Sequence, residues 1–371
     1  MHFRIICLFL FVVTSIFSFE GLCLTAPNIS ANALFLYRNS NFHRDDVNVI
    51  TPDQTPNGLN VPETEIQFYS DVDPYTRLSL LLSIAPKYTT DGTKVSEEWG
   101  LEPEEAFAES NLIPDLTFKM GKFKAAMGKH NVLHTHAFPM IEAPLANSKL
   151  LGDEGLTDVG ISAAILIPSP WFNELTLQFI RGKGENEEFS SPSPGGGVGI
   201  AHWKNLMDLS DDLTLELGAS LAQGGNSFGQ TTSVTGADLT FKWRPSVGGK
   251  YQSVFWTTEY LSRNQSQATI PDEKGTGLAT WIQYQFAEKW AGVYRYDNLN
   301  IKNTFDETNL PNDTWERHSF GFVYSPSEFS SYRLEYDQRV GGTPNNNNET
   351  TEKTIFIQAN FTIGAHPTHS Y

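Results

Sequence analysis

Alternation with a period of two, repeated along nearly the whole chain, constrains this sequence more than any other feature. In the run from Leu213 to Leu221, residues Leu213, Leu215, Leu217, Ala219 and Leu221 share one face, and Thr214, Glu216, Gly218 and Ser220 share the other. Successive side chains of a strand point to opposite sides, so one face is apolar and the other polar. The next run repeats the pattern, with Ala237, Leu239, Phe241 and Trp243 against Gly236, Asp238, Thr240 and Lys242. Alternation alone fits a soluble sandwich or a membrane barrel. Three further features favour the barrel.

The first is the way the chain begins and what it lacks. Met1 to about Ala26 reads as a secretory signal peptide, with Arg4 ahead of an apolar run from Ile5 to Phe17. Leu22, not a small residue, precedes Cys23, which favours ordinary cleavage over lipid attachment. No later stretch approaches the roughly 18 continuous apolar residues of a membrane-spanning helix. The only cysteines, Cys7 and Cys23, lie at the signal end, so the exported chain has no internal disulfide. A closed barrel in lipid provides stability without one, because every strand is paired and no edge remains. The hydrophobic share of 39% and aromatic share of 12% suit strands with one wet face.

The formal charge of −17 gathers in segments such as Asp91 to Glu109, Glu185 to Glu188 and Asp306 to Asp313. These read as solvated loops, or as loops that hold divalent cations between lipid head groups. Such a charge, with no lysine or arginine stripe against it, excludes nucleic acid as a partner.

The second feature is the spacing of about sixteen strands, from Ile29–Tyr37 to Thr354–Gly364, with a strand expected over Glu104–Asn111. Short turns such as 71–74, 113–115, 209–212, 287–289 and 325–327 alternate with long polar loops such as 182–197, 224–232 and 341–351. Outer-membrane barrels have short periplasmic turns and long external loops, whereas a Greek key mixes lengths. The third feature is that Tyr75, Trp171, Phe172, Trp243, Tyr251, Phe286, Trp290, Tyr324 and Tyr332 flank the short turns, as an interfacial girdle would. The fold class is therefore all-β: one transmembrane antiparallel β-barrel domain over residues 27–371. Its strands consume the chain and leave nothing for a plug, and at 16 to 18 strands a barrel encloses an aqueous channel.

The stretch Gly121-Lys122-Phe123-Lys124-Ala125-Ala126-Met127-Gly128-Lys129-His130 continues through His134, His136 and Glu142 to Gly152-Asp153-Glu154-Gly155. With Asp71-Val72-Asp73-Pro74-Tyr75, Glu104-Glu105-Ala106-Phe107 and the closing Gly364-Ala365-His366-Pro367, it resembles a family of porin-like proteins of Gram-negative envelopes. Some members carry the label zinc-regulated TonB-dependent outer-membrane receptor. More distantly, Gly121 to Gly128 is similar to a strand of phosphate-selective porins. The resemblance implies an outer-membrane barrel, in contact with lipid and lipopolysaccharide and delivered by the barrel-assembly machinery. Trimerisation is common among general porins, although no residue pattern here demands a homotrimer.

By analogy with the third loop of general porins, the segment from Lys124 to Glu154 is expected to fold inward and form the constriction. The alternative is an external loop packed on the rim. Expected pore residues are Lys129, Glu142, Asp153 and Glu154 of that segment, with Arg77, Asp158, Glu216, Asp238, Glu259, Arg295 and Arg333 on the wall. Polar-face Glu105, Lys119, Lys242, Arg317 and Glu335 are further lumen candidates, their mixed signs pointing to a hydrated interior with internal ion pairs. His130, His134 and His136 could ligate zinc with Glu142 completing the site, or could be hydrogen-bonding residues at the mouth. His366 and His369 make a second pair near the end of the chain. No other cofactor is indicated. Neither a Gly-x-Ser-x-Gly elbow, a His-Glu-x-x-His helix nor a phosphate-cradling loop is present, so catalysis finds no motif, although a Ser/His pair across strands would escape such a search. The expected function is a passive channel for small hydrophilic solutes or ions, with a metal-related receptor barrel as the alternative.

Overall fold

A computed structural model of the chain describes residues 27–42, 55–90, 95–152, 154–183, 187–192, 196–302, 313–341 and 350–364. The expected signal peptide, Asp153, His366 and His369 lie outside these residues. The first half contains β1 (Asn28–Ser40), β2 (Gly58–Asn60), β3 (Thr64–Asp73), β4 (Thr76–Thr90), β5 (Val95–Ile113), β6 (Leu116–Lys124), β7 (Thr157–Leu166) and β8 (Phe172–Ile180). The second contains β9 (Val198–Ser210), β10 (Leu213–Gly225), β11 (Thr231–Trp243), β12 (Ser253–Gln265) and β13 (Glu273–Ala287). Four more follow: β14 (Trp290–Lys302), β15 (Asp313–Ser327), β16 (Ser330–Val340) and β17 (Thr351–Gly364).

Each strand pairs antiparallel with its chain neighbour, and β17 pairs with β1 from Ser30 opposite Gly364 to Ser40 opposite Thr354, which closes the sheet. The other edge of β1 takes β3 along Asn28–Ala33 and β2 along Leu36–Arg38. β2 and β3 are thus one strand interrupted at Val61–Glu63, and the wall is a closed barrel of sixteen antiparallel strands. Among the described residues no helix is long and apolar enough to cross a membrane, which is no constraint on a barrel.

The barrel is inside-out. On β10, Leu217 and Leu221 are 36% and 46% exposed, whereas Glu216 and Ser220 between them are 3% and 7% exposed. On β16, exposed Leu334 and Tyr336 alternate with buried Glu335 and Asp337. A soluble sandwich would reverse this assignment, so the outer surface is made for hydrocarbon. Tight turns join β3 to β4, β5 to β6, β9 to β10, β13 to β14 and β15 to β16 at one end. The exception there is the nine-residue link between β11 and β12. Near that end Phe286, Phe322, Trp290, Tyr324, Tyr332, Phe361 and Phe35 form an unbroken chain of ring contacts, with centroids 4.3 to 6.3 Å apart, from β13 round to β1.

Two expectations are corrected. Of the acidic stretch from Asp91 to Glu109, residues 95–109 are not an external loop, because β5 begins at Val95 and pairs with β4 out to Thr90. Strand pairing there overrides the loop-like composition. Nor is the interior wholly hydrated. Residues 125–156, which carry a short helix α1 (Leu145–Leu150), lie inside the barrel, where Met127, Leu145, Ala146, Leu150, Leu151 and Leu156 join one dry cluster. Its wall members, Ile180, Val198, Ile200, Ala222, Val234, Leu261, Leu299 and Ile301, sit toward the long-loop ends of β8 to β12 and β14. Helix α1 lies against β13 where Gly275 and Gly277 leave room. A Cβ on Gly277 would meet Ala146 Cβ at 2.5 Å, and one on Gly275 would meet Leu150 Cδ2 at 2.3 Å.

Candidate functional site

The inserted segment is held by buried charges that the inward faces of the strands supply. Glu259 of β12 accepts the backbone N–H of Lys129 (3.0 Å) and of His130 (2.9 Å), and the side-chain amide of Asn147 (2.9 Å). Two successive N–H groups converge on the carboxylate because Gly128 has φ +67°, the geometry of an anion-binding nest. Gly128 N–H donates to Ser220 Oγ at 2.9 Å, and Ala126 N–H to Gln178 Oε1 at 2.8 Å. Lys129 Nζ reaches Glu216 Oε1 at 2.8 Å, with Lys204 and Lys242 each 3.6 Å from the same carboxylate. Asp238 of β11, paired in register with Glu259, lies beside this group of charges on the same inner face. The His202–Ser220 contact, 2.8 Å from Nδ1 to Oγ, is a Ser/His pair across strands, but Ser220 Oγ is committed to Gly128.

Two to four strands further round the wall, on β14 to β16, a second set holds the segment's middle. Asp297 of β14 bridges Arg295 (2.9 Å) and Arg317 (2.8 Å). Arg295 donates to the carbonyl of Glu142 (2.6 Å), and Arg317 reaches the Glu142 carboxylate (2.9 Å) and the Ala143 carbonyl (2.5 Å). Glu335 accepts Ile141 N–H at 2.9 Å, and Arg333 donates to the Phe138 carbonyl at 3.0 Å. Beside this set lies a small cleft lined by Glu142, Arg317, Asp337, Arg339, Glu352 and Thr354. Arg38 and Arg339 both pair with Glu352 there, at 2.7 and 2.5 Å.

The histidines do not gather as the spacing suggested. His130 is buried between Phe138 (4.4 Å between ring centroids) and Trp281 (6.3 Å), and its backbone is tied to Glu259. Burial, with Arg295, Lys124 and Arg317 nearby, pushes its imidazole well below the usual range. Glu142 belongs to Arg317. The set His130, His134, His136 and Glu142 is therefore corrected: only His134 and His136 lie together, and their partners come from the wall. His134 sits between Glu104 (3.0 Å from Nδ1) and Glu105 (3.1 Å from Nε2), and His136 Nδ1 lies 2.6 Å from Glu65 Oε2. Lys124 Nζ also reaches Glu104, at 3.1 Å. Burial works against a charged His134, yet the hydrogen bonds to Glu104 and Glu105 hold its pKa up at about 10. Burial and the cationic His134 push His136 down to about 4.

Glu104 and Glu105 are consecutive, yet both face His134, because the register shifts at Leu81/Leu82 and leaves Glu104 as the extra residue of a β-bulge. Of the other expected wall residues, Asp158 pairs with Arg181 (3.0 Å) and accepts Lys183 N–H (2.9 Å), at the root of the link from β8 to β9. Arg77 pairs with Asp71 (3.0 Å) in the open beside the first short turn, and Lys119 with Glu109 (3.6 Å), away from the inserted segment. Glu154 is exposed near the segment's end. Residues not singled out from the sequence are Arg38, Glu65, Glu104, Asp297, Asp337, Arg339 and Glu352. A signal was present in β16, where Arg333, Glu335, Asp337 and Arg339 occupy alternate positions and so share one face.

No family model matches the chain. An uncharacterised protein of Aquifex aeolicus is 27% identical over 348 aligned residues, covering 85% of this chain and 70% of the relative. Among solved structures, outer-membrane expressed OmpT of Vibrio cholerae superposes with a TM-score of 0.57 at 10% identity, over 93% of this chain and all of that one. The anion-selective porin from Comamonas acidovorans gives 0.57 at 9% identity, over 91% of this chain and 99% of its own. The outer-membrane channel DcaP of Acinetobacter baumannii gives 0.55 at 12%, over 91% and 96%. This chain has the fold of outer-membrane porins. One OmpT structure in the same set is a trimer form.

Proposed function

We propose that the protein is an outer-membrane channel for passive diffusion of small hydrophilic solutes or ions, with residues 125–156 narrowing its bore. The observation that carries this reading is the asymmetry of the interior. Apolar packing of α1 and its neighbours fills the long-loop end of the side toward β8–β14, whereas opposed charges line a cleft on the side of β15–β17 and β1. Glu142, Asp337 and Glu352 face Arg38, Arg317 and Arg339 there, a pairing of signs that sets a field across a narrow path and orients dipolar solutes. Lipid, lipopolysaccharide and the barrel-assembly machinery are the partners this reading requires, and a homotrimer is compatible with it.

The test is single-channel conductance of the purified chain in planar bilayers under a salt gradient. Discrete steps are expected. Neutralising Glu142 as Glu142→Gln should move the reversal potential toward anion preference, and Arg339→Gln should move it toward cations. Absence of conductance in folded protein overturns the reading.

A further inference from the structure

We propose that Glu65, Glu104, His134 and His136 form a site for one divalent transition-metal ion, and that the ion fastens the inserted segment to β3 and β5. Ligand atoms of Glu65, Glu104 and His134 already lie within 4.8 Å of one another, and His136 Nδ1 is 2.6 Å from Glu65 Oε2. The two imidazoles are parallel, 6.1 Å apart. Tetrahedral bonds of about 2.0–2.2 Å put ligand atoms roughly 3.3–3.6 Å apart, so Glu65, Glu104 and His134 would draw together by up to about 1.5 Å and His136 would turn from Glu65 to the ion.

Independent support comes from Glu65. It is 2% exposed, yet neither carboxylate oxygen has a hydrogen-bond partner among the described residues, and the contact with His136 lacks the alignment of a hydrogen bond. A buried carboxylate left so is costly, and a coordinated cation is a usual remedy. The carboxylates of Glu65, Glu104 and Glu105 gather here around Lys124, His134 and His136, an acid-rich setting that suits a bound cation. The outer partners are also in place. With His134 Nδ1, the nitrogen beside Glu104, on the metal, Nε2 retains the Glu105 carboxylate, the arrangement that orients ligating histidines elsewhere. Two imidazoles and two carboxylates suit zinc and its neighbours, not calcium or magnesium, which take oxygen shells.

The experiment titrates the metal-stripped, folded chain in detergent with Co2+ as an optical probe and then with Zn2+, alongside Zn2+ calorimetry. One equivalent per chain is expected, with Zn2+ displacing Co2+ and an X-ray absorption shell containing imidazole nitrogen. Glu65→Gln and His136→Ala should each weaken binding by at least about 10-fold, and His130→Ala should leave it unchanged. The proposal is overturned by the absence of saturable binding in the wild type, by a shell without imidazole, by wild-type affinity in both ligand variants, or by an equal loss in His130→Ala. Should Glu65→Gln fail to fold, His136→Ala, which lies outside the wall, and the wild-type absorption shell decide. Conductance plays no part in this readout, so a non-conducting protein that binds the ion sinks the channel reading and leaves the metal site standing.

Discussion

Single residues in this protein act chiefly by fixing where one inserted segment lies. Glu259 gathers three donors from that segment, and Gly128 supplies the backbone turn that lets two of them meet one carboxylate. Gly128→Ala should therefore cost about 1–2 kcal/mol from the left-handed conformation alone, and more from the Cβ that would sit 2.5 Å from Glu259 Oε1. Denaturant unfolding in lipid vesicles measures it. Glu259→Gln keeps the shape but loses the charge of the acceptor, for an expected loss of about 1.5–3 kcal/mol and greater protease access to the segment. Glu259 was legible in the sequence as a polar-face residue of an alternating strand; its three partners were not, because they are 112 to 130 positions away. The consecutive pair Glu104 and Glu105 was harder still. A strict period of two puts them on opposite faces, and the bulge beside Pro103 puts both on His134.

The strands themselves follow the alternation closely, since a strand in a barrel has one lipid face and one lumen face and each position must suit its side. Leu217→Arg, near the middle of the outer face of β10, should destabilise the folded barrel by about 2–4 kcal/mol, measured by reversible unfolding into vesicles. Elements with no period of their own were less legible. Helix α1 spans six residues, too few to show an amphipathic pattern, and its place is set by Gly275 and Gly277 on the strand beneath. Gly277→Val should displace α1 while the wall still closes, read as faster proteolysis within residues 125–156 and a larger single-channel conductance. The hairpin of β4 and β5 extends past its expected end because backbone pairing, once registered, continues through residues whose composition favours a loop.

The molecule is a closed lipid-facing cylinder into which residues 125–156 fold, and this segment touches walls as far apart as β3, β8, β10, β12 and β16. Removing residues 132–150 and bridging the ends with a flexible linker should raise conductance several-fold and weaken ion selectivity, with sheet content by circular dichroism unchanged. No gain in conductance would place the narrowest point elsewhere. Which residues share a face, and so the number of strands and their place in a barrel, follow from local order along the chain, because a side chain's face depends only on its parity within a strand. Which histidines meet which carboxylates, and which side of the bore stays wet, depend on how the sheet closes and where the segment crosses it. Those contacts join residues far apart in the chain, 195 positions for Arg333 and Phe138 and 314 for Arg38 and Glu352, and no local period encodes a meeting across an enclosed space.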